Sequence, residues 1–426
     1  MNYESPAKTP MNCFRYTAAL MLFFVAARPA TAQILPPGAT PTKLTPTSVG
    51  GFSLRFTEGP LYDRAGGVYF TDLGSANEPA DNPSRIFRYD IASGVTSLVD
   101  GASGGANGLF LDGNGQIIAA ERGRRQVARR SATDVTAVET VLANNYLGEQ
   151  FNGPNDLVLD ASGGIYFTDP NYDNRNKPEA LYYVDSAGTV SQLLTFSTSV
   201  SNTRPVNKRP NGVALSHDGS TLYLAVELNN RIMAYDVGPG GAISNARQFA
   251  RTDVNAAGTV IPGINNGPDG ITLDAAGNVY SAVKNAVFVW SPTGERLADI
   301  AVPLDPTNVD FGDADGRTLF ITAGNALYGI VLNVPSPALG DFDGDGNVTA
   351  ADYTVWRDTL GATENLSADG DGSKVIDAGD YDAWKSHFGN ALGSGAAATS
   401  HAVPEPDGWA LLVGWLISVV RSRRRS

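Results

Sequence analysis

The sequence has 426 residues, of which 42% are hydrophobic and 18% charged, and its formal net charge is −13. This composition is typical of a globular protein, and the acidic excess excludes a nucleic-acid partner that would need a broad basic face. Glycine is abundant, with 47 residues, which favours many short strands joined by tight turns.

The first 32 residues are predicted to be an export signal. An apolar run, TAALMLFFVAA, occupies 17–27, and the small residues ATA follow at 30–32. The run is too short to span a membrane. The single cysteine, Cys13, lies in this segment. The mature chain is therefore expected to be exported and to contain neither a thiol nor a disulfide.

Residues 33–332 repeat one pattern, in which an apolar stretch is followed by a Gly/Asp turn and a β-rich strand. The six strands read VYFTD (68–72), IIAAE (117–121), IYFTD (165–169), LYLAV (222–226), VYSAV (279–283) and LFITA (319–323). Four short strands in a repeat of about 40–55 residues are the signature of a β-propeller blade. The sequence predicts an all-β fold, a six-bladed β-propeller, followed by a small α-helical module.

One equivalent position before each of these strands holds a residue with a side-chain oxygen. The six residues are Glu58, Asn107, Asn155, Asn211, Asp269 and Asn308. Asn and Asp also open strands as turn residues, but Glu58 is a poor turn residue. Rotational repetition places the six in a ring around the propeller axis. Oxygen donors that converge from several elements suit a hard cation, so a divalent metal is predicted, with Ca²⁺ favoured over Mg²⁺, Mn²⁺ or Zn²⁺.

Over roughly 52–332 the sequence resembles the senescence-marker-protein/gluconolactonase family of regucalcin-type propellers. The motifs that carry the resemblance include EGPLYD, FNGPNDLVLDASGGIYFTDPNY, RPNGVALSHDGSTLY and PDGITLDAAGNVY. The resemblance implies a divalent metal held by Glu58, Asn155, Asn211 and Asp269. It also implies that Asp269 is the catalytic base. Asn155 and, from the repeat argument, Asn107 are candidates for binding substrate.

The resemblance implies that the chain is an enzyme that hydrolyses sugar lactones, with a small-molecule lactone as substrate. A metal-bound carboxylate is a weak base, so a metal-bound hydroxide is an alternative nucleophile to water activated by Asp269. Two other functions remain open. One is a propeller that binds a sugar acid or polysaccharide without turnover, and the other is an arylesterase or phosphotriesterase.

After a linker at 333–340, two acidic stretches match the twelve-residue calcium loop. The first supplies Asp341, Asp343, Asp345, Asn347, Thr349 and Asp352, and the second supplies Asp369, Asp371, Ser373, Asp377 and Asp380. Lys374 replaces the turn glycine of the second loop, so weaker binding is expected there. A helix is predicted after each loop, at YTVWRDTLG and YDAWKSHFG.

Residues 341–390 resemble an EF-hand-like, dockerin-type module that binds Ca²⁺. Such a module can dock on a cohesin-like or envelope partner, or it can be a stabilised spacer. After a second linker at 391–402, the tail at 403–426 combines VPEP, a short apolar run and RSRRR. The tail resembles a PEP-CTERM sorting signal, with a permanent tail anchor as the alternative. The expected location is the cell envelope or the extracellular space, with transient membrane contact through the tail.

Overall fold

The structure is a computed structural model that covers the repeats and part of the C-terminal module. The described residues are 34–74, 84–112, 114–132, 134, 138–173, 175, 177–196, 209–255, 259–261, 267–313, 316–333, 340, 342, 348–362, 368 and 375–388. The predicted export signal, the predicted sorting tail and half of the residues of each predicted calcium loop lie outside this set.

Blades 1 to 3 are four-stranded antiparallel sheets whose strands follow one another in chain order. Blade 1 contains Thr57–Tyr62, Gly67–Asp72, Arg85–Asp90 and Thr96–Asp100. Blade 2 contains Ala106–Leu111, Ile117–Glu121, Gln126–Arg130 and Thr140–Ala143. Blade 3 contains Leu157–Leu159, Ile165–Asp169, Glu179–Val184 and Val190–Phe196.

Blades 4 and 5 follow the same order, whereas blade 6 takes its outermost strand from the start of the chain. Blade 4 contains Pro210–Leu215, Thr221–Val226, Arg231–Val237 and Ile243–Arg251. Blade 5 contains Ile271–Leu273, Val279–Val283, Ala286–Trp290 and Arg296–Ala301. Blade 6 contains Pro306–Gly312, Thr318–Ala323, Ala326–Val331 and the outer strand Thr42–Lys43. The prediction of a six-bladed propeller is confirmed.

Short elements lie between the blades and between strands of blade 4. Two hairpins are formed by two-residue strands, Ser48–Val49 with Phe52–Ser53 and Asn145–Tyr146 with Glu149–Gln150. Two 3₁₀ turns occur in blade 4, at Glu227–Asn229 and Pro239–Gly241.

The hydrophobic core is divided among the interfaces between neighbouring blades. Side chains alternate between the two faces of a strand, so each strand serves two interfaces. In blade 3, Ile165 and Phe167 pack toward blade 2, while Tyr166 packs toward blade 4. The same division occurs around the circle, and the blade 6 to blade 1 interface contains Phe320 and Phe70. Apolar packing therefore holds the blades together and leaves the axis to polar side chains.

The C-terminal part contains two ten-residue helices, Ala350–Thr359 and Ala378–His387. Each begins with a capping box, formed by Thr349 with Asp352 and by Asp377 with Asp380. Both helices therefore begin three residues before the predicted starts at Tyr353 and Tyr381. No helix within the described ranges has the length and apolar character needed to cross a membrane.

The two helices are joined by a reciprocal pair of hydrogen bonds. Trp356 Nε1 donates to the Asp377 carbonyl at 2.7 Å, and Trp384 Nε1 donates to the Thr349 carbonyl at 2.7 Å. Each tryptophan thus donates a hydrogen bond to the N-cap residue of the opposite helix. The repeated acidic loops of the sequence therefore lead into two helices that hold each other's N-termini.

Candidate functional site

The six predicted ring positions all lie at or just before the first strand of a blade. Each first strand contacts the first strand of the next blade, and blade 6 contacts blade 1, which closes the circle around the axis. Glu58, Asn107, Asn155, Asn211 and Asn308 are buried, while Asp269 is half-buried.

In four blades the pairing register shifts at the ring residue. The irregularities lie between Glu58 and Leu61 in blade 1, between Ala106 and Leu109 in blade 2, and at the equivalent places in blades 4 and 6. A bulge leaves a residue out of the ladder and re-aims its side chain. The bulges leave Asn107 and Asn211 without a ladder partner and re-aim these two side chains, whereas Glu58 and Asn308 remain paired with Thr71 and Thr322.

A glycine directly after the ring residue allows the first strands to approach closely. A Cβ atom on Gly59, whose φ is +45°, would overlap the carbonyl oxygen of Asn107. A Cβ atom on Gly270 would overlap the side chain of Asn308. The Gly270 backbone N–H also donates to the carbonyl of Thr307 at 2.9 Å. The small residue is thus required by the tight packing around the axis.

Three ring amides form a directional chain of hydrogen bonds. Asn107 Nδ2 donates to Asn155 Oδ1, and Asn155 Nδ2 donates to Asn211 Oδ1 at 3.0 Å. Asn211 Nδ2 then donates to the Tyr172 hydroxyl at 3.0 Å, and this hydroxyl donates to Glu227 Oε2 at 3.0 Å. Asn107 Oδ1, at the start of the chain, is a buried acceptor without a hydrogen-bond partner.

Both ring carboxylates have raised pKa values, and the charge of Glu58 contributes to the shift of Asp269. Burial, followed by the charge of Asp156, raises the pKa of Glu58 to about 8. Burial, followed by the charges of Glu58, Glu227 and Asp156, raises the pKa of Asp269 well above its usual value. Within the described ranges, neither carboxylate forms an ion pair with a lysine or arginine. Buried negative charge without a cationic neighbour is costly, so this position favours a bound cation.

Asp156 is a further buried carboxylate at the axis that the repeat comparison did not identify. It is 7% exposed, and its Oδ1 accepts the Leu157 backbone N–H at 2.9 Å. Burial raises its pKa to about 7. The sequence did contain a signal, because the residue after the ring position is Gly59, Gly108, Gly212 and Gly270 in four blades, but Asp156 in blade 3.

These residues match the oxygen preference of a divalent cation. Glu58 and Asp269 supply charge, Asn155 and Asn211 supply neutral oxygens, and Asn107, which donates to Asn155, has a side-chain oxygen without a hydrogen-bond partner. No group of three or more His, Cys, Asp or Glu side chains has the spacing of a metal centre among the residues that the structure describes. A cation here would thus depend on amide oxygens as well as on carboxylates.

An aromatic and charged wall stands beside the amide chain. The ring of Tyr172 lies beneath two guanidinium groups, with Arg122 at 5.5 Å and Arg209 at 5.1 Å from its centroid. Arg209 also pairs with Glu227 at 3.1 Å. Burial, followed by the charge of Glu227, raises the pKa of the Tyr172 hydroxyl well above its usual value, so it remains a hydrogen-bond donor. Neither Tyr172 nor Glu227 was predicted, because neither occupies a repeated position.

The FTD sequences hold the loops that carry two of the ring residues. Asp72 Oδ1 accepts the backbone N–H groups of Arg55 and Phe56 at 3.0 and 2.9 Å, just before Glu58. In blade 3, Asp169 accepts the N–H groups of Asn152 and Gly153 at 2.8 and 2.7 Å, just before Asn155. The final Asp of each motif is thus a support for the ring.

A separate cavity of about 430 Å³ lies between blades 1 and 2, lined by residues that include Ile86, Ile117, Arg130 and Glu139. Arg130 pairs with Asp100, Glu121 and Glu139 at 2.6, 2.6 and 2.9 Å. Because these carboxylates already pair with an arginine, this cavity is a weaker candidate for a reactive site than the ring of oxygen donors.

Residues 56–325 match the family described as SMP-30/Gluconolactonase/LRE-like region. The chain is 29% identical over 301 residues to the gluconolactonase of Zymomonas mobilis, covering 66% of this chain and 79% of that protein. It is 27% identical over 295 residues to the pentonolactonase XacC of Haloferax volcanii, covering 66% and 85%. The solved gluconolactonase XC5397 of Xanthomonas campestris aligns with a TM-score of 0.53 at 25% identity, covering 72% of this chain and 99% of that one.

Proposed function

The chain belongs to the SMP-30/gluconolactonase/LRE-like family, and on that basis we propose that it is a metal-dependent hydrolase that opens sugar lactones. The observation that carries the proposal is the ring itself. The buried carboxylate of Glu58 and the half-buried carboxylate of Asp269 lie with amide oxygens around the propeller axis, and neither pairs with a lysine or arginine among the described residues. The gluconolactonase and pentonolactonase relatives support the choice of substrate class.

We assign Glu58, Asn155, Asn211 and Asp269 as the residues that hold the divalent cation, with Ca²⁺ as the first candidate. A bound cation would polarise the lactone carbonyl and stabilise the developing oxyanion. Opening the lactone requires attack of a water oxygen on the carbonyl carbon, cleavage of the C–O bond of the lactone ring and transfer of a proton to the leaving alkoxide.

Asp269 is the proposed proton acceptor. Of the two ring carboxylates, Glu58 is only 5% exposed, whereas Asp269 is half-buried and is the one that a water or substrate can approach. A general base must lie within hydrogen-bond reach of the proton that it abstracts. Asn107 and Asn155, at the start of the amide chain, are proposed to bind substrate hydroxyl groups.

The test is a turnover screen over aldonolactones, acyl lactones and aryl esters, with and without chelator. We expect hydrolysis of aldonolactones that is lost with chelator and restored by a divalent metal. Metal-dependent binding without turnover would favour a sugar-acid-binding propeller, and preferential hydrolysis of aryl esters would favour an arylesterase.

Two substitutions locate the chemistry within the ring. Asp269→Asn keeps the size and one donor oxygen but removes charge and basicity, so we expect turnover to be abolished and metal affinity to fall. Asn155→Ala should leave much of the metal bound and cause a milder loss of rate. Metal content by elemental analysis accompanies both rates, and near-native hydrolysis by Asp269→Asn would exclude the ring as the catalytic site.

The remaining parts of the proposal concern delivery of the enzyme. An exported chain is consistent with the N-terminal signal and the C-terminal tail of the sequence, and we propose the cell envelope or the extracellular space as its location. We propose that the loops at 341–352 and 369–380 bind Ca²⁺ and stabilise a dockerin-type module, which either docks on an envelope partner or is a spacer.

A further inference from the structure

The amide chain has a fixed direction, and the direction decides which atoms face the axis. Each side-chain amide can be turned over, which exchanges its oxygen for its NH₂ group at almost no cost in shape. Reversal of all three amides would place NH₂ groups where Asn107, Asn155 and Asn211 now present oxygens. An NH₂ group cannot coordinate a cation. The cation site therefore requires something that prevents the reversal.

Glu227 is the group at the end of the chain that can do this. A carboxylate only accepts hydrogen bonds, so the Tyr172 hydroxyl must donate to it, at 3.0 Å. The single proton of that hydroxyl is then used, and the Tyr172 oxygen must accept from Asn211 Nδ2. The same requirement passes from Asn211 to Asn155 and from Asn155 to Asn107.

The position of Glu227 is itself well determined. Its Oε1 accepts Arg209 Nη1 at 3.1 Å, and this guanidinium also lies against the Tyr172 ring. Glu227 opens the 3₁₀ turn Glu227–Asn229, and Gly267 packs so closely that a Cβ atom there would lie 2.6 Å from Glu227 Cγ. The Glu227 carboxylate is thus held against the Tyr172 hydroxyl by contacts that do not involve the six residues around the axis.

We propose that Glu227, acting through Tyr172, is a positioning residue that fixes the orientation of the three ring amides. It keeps the oxygens of Asn155 and Asn211 available to a divalent cation, and it leaves Asn107 Oδ1 as an unpaired acceptor for a substrate hydroxyl. This inference rests on the proposed function for the substrate, whereas its effect on cation binding can be measured without turnover.

The experiment uses the full chain and compares three variants. Tyr172→Phe removes the hydroxyl but keeps the ring and the Glu227 charge, and Glu227→Gln provides an end group that can also donate. Asp173→Asn is the matched control, because it removes one negative charge beside Tyr172 from an exposed residue that pairs with Arg122 instead of the chain. Circular dichroism checks that each variant is folded.

The first readout is the Ca²⁺ affinity of the propeller site, measured by calorimetry. This site is distinguished from the predicted C-terminal loops as the one whose binding is lost in Glu58→Gln. We expect Tyr172→Phe and Glu227→Gln each to weaken this affinity about 10- to 100-fold, as loss of an outer-shell partner does, while Asp173→Asn stays within about two-fold of the parent. Parent-like affinity in Tyr172→Phe overturns the proposal. An equal loss in all three variants also overturns it, since charge alone would then explain the result.

The second readout separates substrate positioning from cation binding. At saturating Ca²⁺, Tyr172→Phe should lose kcat/KM on a hydroxylated aldonolactone while retaining it on δ-valerolactone, which has no hydroxyl for Asn107 Oδ1. An equal loss on both lactones would contradict the role given to Asn107. If the parent hydrolyses no lactone, the proposed function fails, but the order of the Ca²⁺ affinities still tests the amide orientation.

Discussion

Replacing Asp169 by Asn should change the stability of the protein in a way that depends on pH. Asp169 is 1% exposed and accepts two backbone N–H groups. Burial raises its pKa from 3.8 to about 7, and the two hydrogen bonds offset only part of this increase. A raised native pKa gives stability that is fully present below pH 3.8 and is lost as the pH rises through 7.

The magnitude follows from the linkage of protonation to folding. Each pH unit between the unfolded and native pKa values lowers the free energy of unfolding by about 1.4 kcal/mol, so the parent should lose about 2–3 kcal/mol through Asp169 between pH 5 and pH 8. Asp169→Asn has no such titration. At pH 5 it should be less stable by about 1–3 kcal/mol, since only one acceptor oxygen remains for two N–H groups. This deficit should shrink by about 2–3 kcal/mol at pH 8.

Urea unfolding of parent and variant at both pH values measures the difference directly. Asp185→Asn is the matched control, because Asp185 lies in the same blade, accepts the N–H groups of Ala187 and Thr189, and is more exposed than Asp169. Hydrogen bonds from Thr189 lower the pKa of Asp185, so its effect on stability should be the same at pH 5 and pH 8. A deficit of Asp169→Asn that is also unchanged would show that Asp169 is ionised throughout, and the reasoning would be wrong.

Three further predictions concern the packing at the axis, the predicted calcium loops and the C-terminal tail. Gly270→Ala should reduce both stability and metal binding, because the added methyl group overlaps Asn308. Gly238→Ala should be tolerated, because a Cβ atom there lies 3.7 Å from its nearest neighbour. Similar melting temperatures of the two variants would contradict this prediction. Chelator should make residues 341–390 sensitive to limited proteolysis while the propeller stays resistant, since calcium binding in such loops is coupled to folding; equal resistance would count against the loops. The intact mass of protein from the native envelope should exclude the tail, and a mass that includes Arg425 would refute sorting.

The sequence was most informative where the blade repeats itself. The second strands were predictable because each follows a Gly/Asp turn and is rich in β-branched and aromatic residues. The ring positions could be predicted from the same repetition, since rotation about an axis brings equivalent residues together. Glu58 and Asp269 are charged exceptions at that repeated position, and Glu58, a poor turn residue, could be distinguished from a turn residue by sequence alone.

What the sequence could not show depends on contacts between different blades. Tyr172 and Glu227 lie in loops of blades 3 and 4, and only the fold brings the hydroxyl to the carboxylate. The bulge that turns Asn107 out of its strand depends on the pairing register, which the side-chain pattern does not specify. The predicted helix after the first loop began at Tyr353, because aromatic residues marked it, whereas the capping box at Thr349 sets the true start.

The outer strand of blade 6 determines the order in which the molecule can be completed. Thr42 pairs with Gly329, so the first described strand must wait until almost the whole propeller has been synthesised and, if the chain is exported, translocated. Such a distant pairing carries a large loop-closure entropy and places the event late in folding. Asn308 lies in the same blade, so the circle of oxygen donors is complete only when that blade has docked between its neighbours. A nascent chain shortened before residue 306 would therefore contain most of the donors but no finished ring, so we expect cation binding to mark the moment at which the two ends of the propeller meet.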